Sequence, residues 1–431
     1  MPRGKEYSVS IDLGTNTVKG VVISTDNTGQ MFFEAYGSVK AVGIDNGDVK
    51  DAVALKASVQ KLIDDLTGQL GKKEIEAEFR ICFTDGEYSV FSENVEEEIS
   101  SEEPVLVTQN TIDGIMSRIS QNKLKQGNTN IHKKYVRKYI LDDEKVVFNP
   151  VDMEAKKLNV EMVFVSSEGR SAEVFRRLFE ELLGSSDFLL LPSLVSSAEA
   201  VLTDTEKQHG VVCVVLGHEF SELIIYKENL PVHISRIPLG IKNIVRDIAV
   251  VLGTSQDEAE RLLVTSGYAT MNPPSSESSV EYFGLDERTR KRVTVRKLST
   301  VVFARVKELL NKIRREVQMF MNQHPEYSED GLPGGIVFTG GGAKLRGLGD
   351  TGVESLKMPV RVGTYETSFN PRIEESEDVS NDPVFSACLG NIVDEESKQM
   401  GFSEGIATEQ RRRSFGDFIR SLFFGGVEDE L

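Results

Sequence analysis

Two short turns carry the residues best suited to chemistry. Asp12-Leu13-Gly14-Thr15-Asn16 closes one apolar, β-rich run, and Leu216-Gly217-His218-Glu219-Phe220-Ser221 closes another. A glycine at such a turn lets backbone N–H groups face a ligand without a Cβ in the way, which suits phosphate. Thr15 and Asn16 add donors, and Lys19 brings a compact positive charge. Asp12 would reach a phosphate-bound Mg²⁺ through water, because that ion keeps much of its hydration shell. A third loop, Gly340-Gly341-Gly342-Ala343, follows the apolar Ile336-Val337-Phe338. Its missing Cβ atoms leave a wall on which a flat base or ribose could lie.

These turns need strands to hold them. Residues 7–13, 18–24 and 31–38 read as a strand meander, followed by a helix from Asp51 with Leu55, Val59, Leu62, Ile63 and Leu66 on one stripe. A strand at 79–83 completes a β/α unit. Residues 84–165 differ, with an acidic patch at Glu96, Glu97 and Glu98, a helix near 110–125 and strands at 135–141 and 158–164; they predict an inserted α+β subdomain. After a helix at 171–183 the opening pattern recurs as strands at 211–216, 222–226 and 230–236. Aligning Gly14 with Gly217 predicts a duplicated hairpin, hence a two-lobed α/β fold. Further on come a capped helix at 258–264, a Pro- and Ser-rich loop at 271–281, a long helix at 298–320, a strand at 335–339 and a polar linker at 392–410.

A chain of 431 residues is long enough for more than one domain, and a formal charge of −18 argues against nucleic acid as a partner. Cys82, Cys213 and Cys388 lie apart in apolar stretches, as core residues do, and the histidines never fall at metal-ligand spacing. The first apolar run, at 9–11, is broken by Asp12, so no secretory signal is expected. Without one, the last four residues, Glu428-Asp429-Glu430-Leu431, carry no retention address.

Two basic features stand against the acidic background. In 411–425, Arg411, Arg412 and Arg413 precede Phe415, Phe418, Ile419, Leu422 and Phe423, which share one helical face. Such a helix lies in a membrane interface, drawn by anionic lipid and held by buried aromatics. The second is the basic run from Arg288 to Arg305, most of it a solvated face, in which Lys297 and Arg305 are expected on one side of the long helix.

The three loops, in this order, resemble the superfamily of actin, sugar kinases and heat-shock chaperone ATPases. Residues 140–153 (Ile-Leu-Asp-Asp-Glu-Lys-Val-Val-Phe-Asn-Pro-Val-Asp-Met), 43–51 (Gly-Ile-Asp-Asn-Gly-Asp-Val-Lys-Asp) and 193–202 (Ser-Leu-Val-Ser-Ser-Ala-Glu-Ala-Val-Leu) resemble segments of the bacterial cell-division family FtsA. The resemblance runs over about residues 7–391 and the tail. It implies a duplicated actin-like (ribonuclease H-like) fold, with Asp12 to Lys19 and Gly217 to Ser221 (His218, Glu219 and Phe220 included) as phosphate loops. It makes Gly340 to Ala343 the adenosine loop, adds Gly240 to the nucleotide site, and puts Glu260 of Ala259-Glu260-Arg261 near the ribose.

The same resemblance implies a division of the chain. Lobe 1 takes 1–84, 166–195 and 359–391; the insert, 85–165; lobe 2, 196–230 and 305–358; its outer, partner-binding part, 231–304. The linker is 392–410 and the membrane helix 411–425. The implied function is ATP- and Mg-dependent: filaments of self on anionic lipid at the cytoplasmic side of the inner membrane, at the division site. There the protein tethers the FtsZ ring by its acidic C-terminal tail, with Lys297 and Arg305 as salt-bridge donors, and recruits later division proteins.

One departure matters. Related ATPases carry an acidic residue two positions before the second-loop glycine, where this chain has Val215. Valine can neither hold Mg²⁺ nor orient water, so hydrolysis is expected to be slow or absent while binding survives. A type IV pilus protein resembling PilM is disfavoured by the amphipathic tail and by 140–153, and a small-molecule kinase by Val215.

Overall fold

A computed structural model describes residues 6–71, 77–126, 130–327, 331–368, 373–374 and 377–394. The opening meander forms as Glu6–Leu13, Thr17–Thr25 and Met31–Lys40. Ala77–Phe83 joins parallel to the first of these, and Phe188–Pro192 parallel to Ala77–Phe83. The second meander is Val211–Leu216, Ser221–Lys227 and Leu230–Ile237, with Ile336–Thr339 and then Val360–Val362 added in parallel. The two sheets therefore repeat one topology strand for strand, as the paired glycine turns predict. Val360–Val362 belongs to the second sheet, so the return to the first lobe comes later than the boundary at 358; the short strand Ile373–Glu374 then pairs with Met31–Lys40.

Helices cover each sheet. Ala52–Leu70 starts where expected because the Asp51 side chain accepts the Ala54 amide, and it buries Leu55, Val59, Leu62, Ile63 and Leu66. In the second lobe Ile241–Leu252, Gln256–Ser266 and the long helix Val295–Gln323 share one core. The lobes meet over the crossing of Ser193–Val201 with Ser386–Val393, where a Cβ on Gly390 would lie 1.7 Å from the Ser196 carbonyl oxygen. Cys82, Cys213 and Cys388 are buried, and burial pushes each thiol pKa up, which keeps them unreactive.

Two segments differ from expectation. The acidic patch at Glu96–Glu98 is the end of an eleven-residue strand, Tyr88–Glu98, at the edge of the insert's sheet. It pairs along its whole length with Lys157–Ser167, with Glu96 and Glu98 exposed and Glu97 half-buried. Similarly, the loop at 271–281 gives way to a hairpin of Ser279–Phe283 and Arg290–Thr294. There Arg292 meets Glu281 across the strands at 2.7 Å and Arg290 lies over Phe283, so part of the basic run is strand.

Candidate functional site

In the first turn, Asp12 and Lys19 are cross-strand partners, which puts their side chains on one face. Lys19 Nζ lies 2.5 Å from Asp12 Oδ2, and Ser193 Oγ donates to Asp12 Oδ1 at 2.7 Å. Burial pulls the Lys19 pKa down, but the Asp12 charge and hydrogen bond outweigh it, and the net shift is upward. Lys19 is thus held by Asp12 rather than extended towards a ligand. Gly14 is obligatory for a local reason: a Cβ there would sit 2.8 Å from the Thr17 carbonyl oxygen.

The second turn repeats that geometry. A Cβ on Gly217 would sit 2.6 Å from the Phe220 oxygen, whose acceptor is already taken by the Gly217 amide. The helix Ile241–Leu252 is seated on this turn: the Ile241 amide donates to the Gly217 oxygen and the Lys242 amide to the His218 oxygen. Gly240 is crowded by the His218 and Glu219 backbone, so only glycine fits. Of the third loop, Gly340 and Gly342 pack against the end of the Leu216 strand, where a Cβ would meet the Leu216 backbone or side chain at 3.0 and 2.7 Å. Only Gly341 is exposed, with room for a Cβ at 4.0 Å from Val384, which narrows the expected bare wall to one residue; Ala343 is buried behind it.

Between the turns the amides of Thr15, Asn16, His218 and Glu219 donate no hydrogen bond among the described residues. Four unpaired donors on two glycine turns make a cradle for an anion. Contacts cross the gap above them. Glu219 accepts the Asn46 amide at 2.5 Å from the first lobe and Lys242 Nζ at 2.5 Å from its own. Gly47 packs against the Phe220 ring. Burial pulls the His218 pKa down, Glu260 and Glu219 pull it up, and Lys242 and Lys40 push it down, leaving it lowered and the ring neutral at pH 7. Glu260 and Lys40 therefore face His218 from opposite lobes.

One residue went unnoticed in the linear sequence. Glu222 is the cross-strand partner of Val215, so it stands on the same face as the missing acid. It is 5% exposed; Arg236 donates to its Oε1 through both Nε and Nη2, leaving Oε2 without a hydrogen bond among the described residues. Burial raises its pKa, Arg236 opposes this, and the charge of Asp12 across the gap adds to the rise. Aligning Lys19 with position 222, as Gly14 aligns with Gly217, was the signal that could have found it.

Away from the cleft, Lys297 is exposed on the first turns of the long helix. Arg305 is half-buried: it makes a forked pair with Asp247, at 2.7 and 3.0 Å, and also bonds Glu308. Eight residues turn a helix by about 80° beyond two full turns, so the two side chains stand on adjoining parts of one side, Lys297 exposed and Arg305 tied to Asp247. Arg411, Arg412, Arg413, Phe415, Phe418, Ile419, Leu422 and Phe423 lie outside the described residues. No described helix is long and apolar enough to cross a membrane.

A family model described as cell division protein FtsA matches residues 212–390, and one described as the SHS2 domain inserted in FtsA matches residues 88–166. The FtsA protein of Borreliella burgdorferi is 28% identical over 266 residues, 61% of this chain and of that protein. The one from Neisseria meningitidis is 27% identical over 53% of this chain and 54% of its own length. Matches to these two relatives thus span just over half of their length. The Escherichia coli K12 protein is 25% identical over 97% of both chains. Among solved structures, a PilM–PilN type IV pilus biogenesis complex aligns with a TM-score of 0.54 at 15% identity, covering 89% of this chain and 96% of that one. MreB5 of Spiroplasma citri bound to ADP aligns with a TM-score of 0.55 at 12% identity, covering 93% and 99%. These likenesses make the fold actin-like, two-lobed and interrupted by an inserted subdomain.

Proposed function

The chain belongs to the FtsA family, and we propose that it is a nucleotide-holding, filament-forming scaffold of cell division. The observation that carries this reading is the set of unpaired amides at Thr15, Asn16, His218 and Glu219, with Gly341 open beside them. A polyphosphate satisfies those donors, and a purine rests by Gly341 with Glu260 reaching the ribose. The residues also fit a hydrated magnesium ion. Asp12 and Glu222 offer carboxylates from both lobes, and Glu222 keeps one oxygen unbonded. Magnesium there would neutralise phosphate charge; the protein's own part is to hold and orient the nucleotide.

Val215 leaves the attacking water without its usual carboxylate, so turnover is slow and the bound nucleotide serves to stiffen the lobes for polymerisation. Residues 411–425 attach the filament to anionic lipid on the cytoplasmic face of the inner membrane. The outer part of lobe 2, with Lys297 exposed and Arg305 fixed by Asp247, receives the acidic tail of FtsZ. Sedimentation with ATP and anionic liposomes tests nucleotide, polymer and membrane together. The full chain should pellet with liposomes, and a chain ending at residue 410 should not. Equal pelleting of the two would remove the membrane role; failure to retain a labelled ATP analogue would remove the nucleotide role.

A further inference from the structure

The long helix Val295–Gln323 carries an open stripe on its outer side. Thr300, Phe303, Ala304, Lys307, Lys312 and Arg315 line a shallow groove of about 550 Å³, with Met271, 46% exposed, on its rim. Its apolar part is Met271, Phe303 and Ala304; Lys307 Nζ sits 5.8 Å from the Phe303 ring centre. Its charged part is one-sided. Lys307, Lys312 and Arg315 make no ion pair among the described residues, and the one acid of the lining, Glu308, is already bonded to Arg305 at 2.6 Å. In a chain of net charge −18, three unanswered cations beside an apolar strip call for an acidic peptide with apolar flanks.

This chain contains one. Val427-Glu428-Asp429-Glu430-Leu431 places three consecutive acids between two aliphatic residues. Extended, five residues span about 17 Å; the helix from Phe303 to Arg315 spans about 18 Å. Thirty-two residues lie between Asp394, the last described, and Val427. Their contour of about 110 Å far exceeds the radius of about 21 Å expected for a domain of this size, so the segment can reach the groove.

We propose that the acidic segment 427–431 of this chain docks in the groove of the long helix, its carboxylates on Lys307, Lys312 and Arg315 and its aliphatic ends on Met271 and Phe303. The proposal is independent of the nucleotide reading; it is tied to the membrane reading, because only Gly426 separates 411–425 from the docking segment.

The test uses the full chain, treated with a zero-length carbodiimide that joins amines only to touching carboxylates and mapped by mass spectrometry. A bond between Lys307 or Lys312 and Glu428, Asp429 or Glu430 is the expected product. Mixing isotopically labelled and unlabelled protein tells whether the segment comes from the same copy or a neighbour, and either result supports the docking. In parallel, a labelled peptide of residues 425–431 is titrated onto a chain ending at Gly426. Binding should weaken at least tenfold in the Lys307→Glu/Lys312→Glu/Arg315→Glu variant, and on raising salt from 0.05 to about 0.5 M, since screening shortens the reach of exposed charges. A peptide with all three acids changed to lysine should bind the reversed variant and not the parent, a swap that a misfolded variant could not produce. Absence of the cross-link, or peptide binding indifferent to the charge reversal, overturns the proposal.

Discussion

The two hairpins that face each other across the cleft share topology, turn length and the reason for their glycine, yet their charges are arranged oppositely. In the first, the acid stands before the turn at Asp12 and its cross-strand partner is the cation Lys19. In the second, position 215 is valine, and the acid stands on the partner strand at Glu222, with its cation on the next strand again, at Arg236. A duplicated backbone therefore fixes where a carboxylate can be presented, while the strand that supplies it is free to change. That makes the first hairpin a self-contained ion pair and the second a carboxylate with one unbonded oxygen.

The largest effect should come from breaking the first hairpin's pair. Asp12→Ala leaves Lys19, whose side chain is 13% exposed, without its counter-charge. Removing one partner of a buried pair costs about 3–5 kcal/mol, read as a lower midpoint in urea unfolding, and nucleotide retention should fall with it. If the variant unfolds like the parent, Lys19 has another partner and the pair is not what holds the turn. The matching change in the second hairpin is Val215→Asp, which restores the acid at the symmetric position. Phosphate release should rise about tenfold, equivalent to about 1.4 kcal/mol. An unchanged rate would show that turnover is limited elsewhere.

A smaller effect tests how the hairpins are joined. Glu219→Ala removes the acceptor of the Asn46 amide and of Lys242. Charge-assisted hydrogen bonds of this kind contribute about 1.5–3 kcal/mol each when buried, and Lys242 is half exposed, so the lower end applies. The melting temperature should drop by a few degrees, and nucleotide should restore it if the cleft closes around the ligand instead. No change in melting would mean that Glu219 does not link the lobes.

What was legible in the sequence follows from local chemistry. The meanders could be read because β-branched runs end in glycine turns, and the helix Ala52–Leu70 because Asp51 caps an apolar stripe. Strand Tyr88–Glu98 was hidden because an edge strand keeps one face in solvent, and its three consecutive acids, Glu96, Glu97 and Glu98, break the apolar–polar alternation. The hairpin Ser279–Phe283/Arg290–Thr294 was hidden by Pro and Ser before it and by arginines within it. Lys297 and Arg305 read alike as basic residues on one helix, but Arg305 is held by Asp247, 58 residues away. Glu222 depended on register, which linear spacing does not display.

The smallest effect concerns Glu222 itself, and its sign is informative. Burial raises its pKa more than Arg236 lowers it, so the folded chain binds that proton more tightly than the unfolded chain does. Above the ordinary carboxylate range the folded state must then ionise a group that its surroundings disfavour, and stability falls as pH rises from the unfolded pKa through the folded one. Glu222→Gln keeps an acceptor for Arg236 and removes the titration. Denaturant unfolding of both proteins between pH 4 and 7 should show the parent losing ground to the variant as pH increases. The opposite slope would mean that the Arg236 pair dominates and lowers the pKa. In that case Glu222 is a structural anion fully answered within its own lobe, and the carboxylate facing Asp12 is no longer available to a magnesium nucleotide.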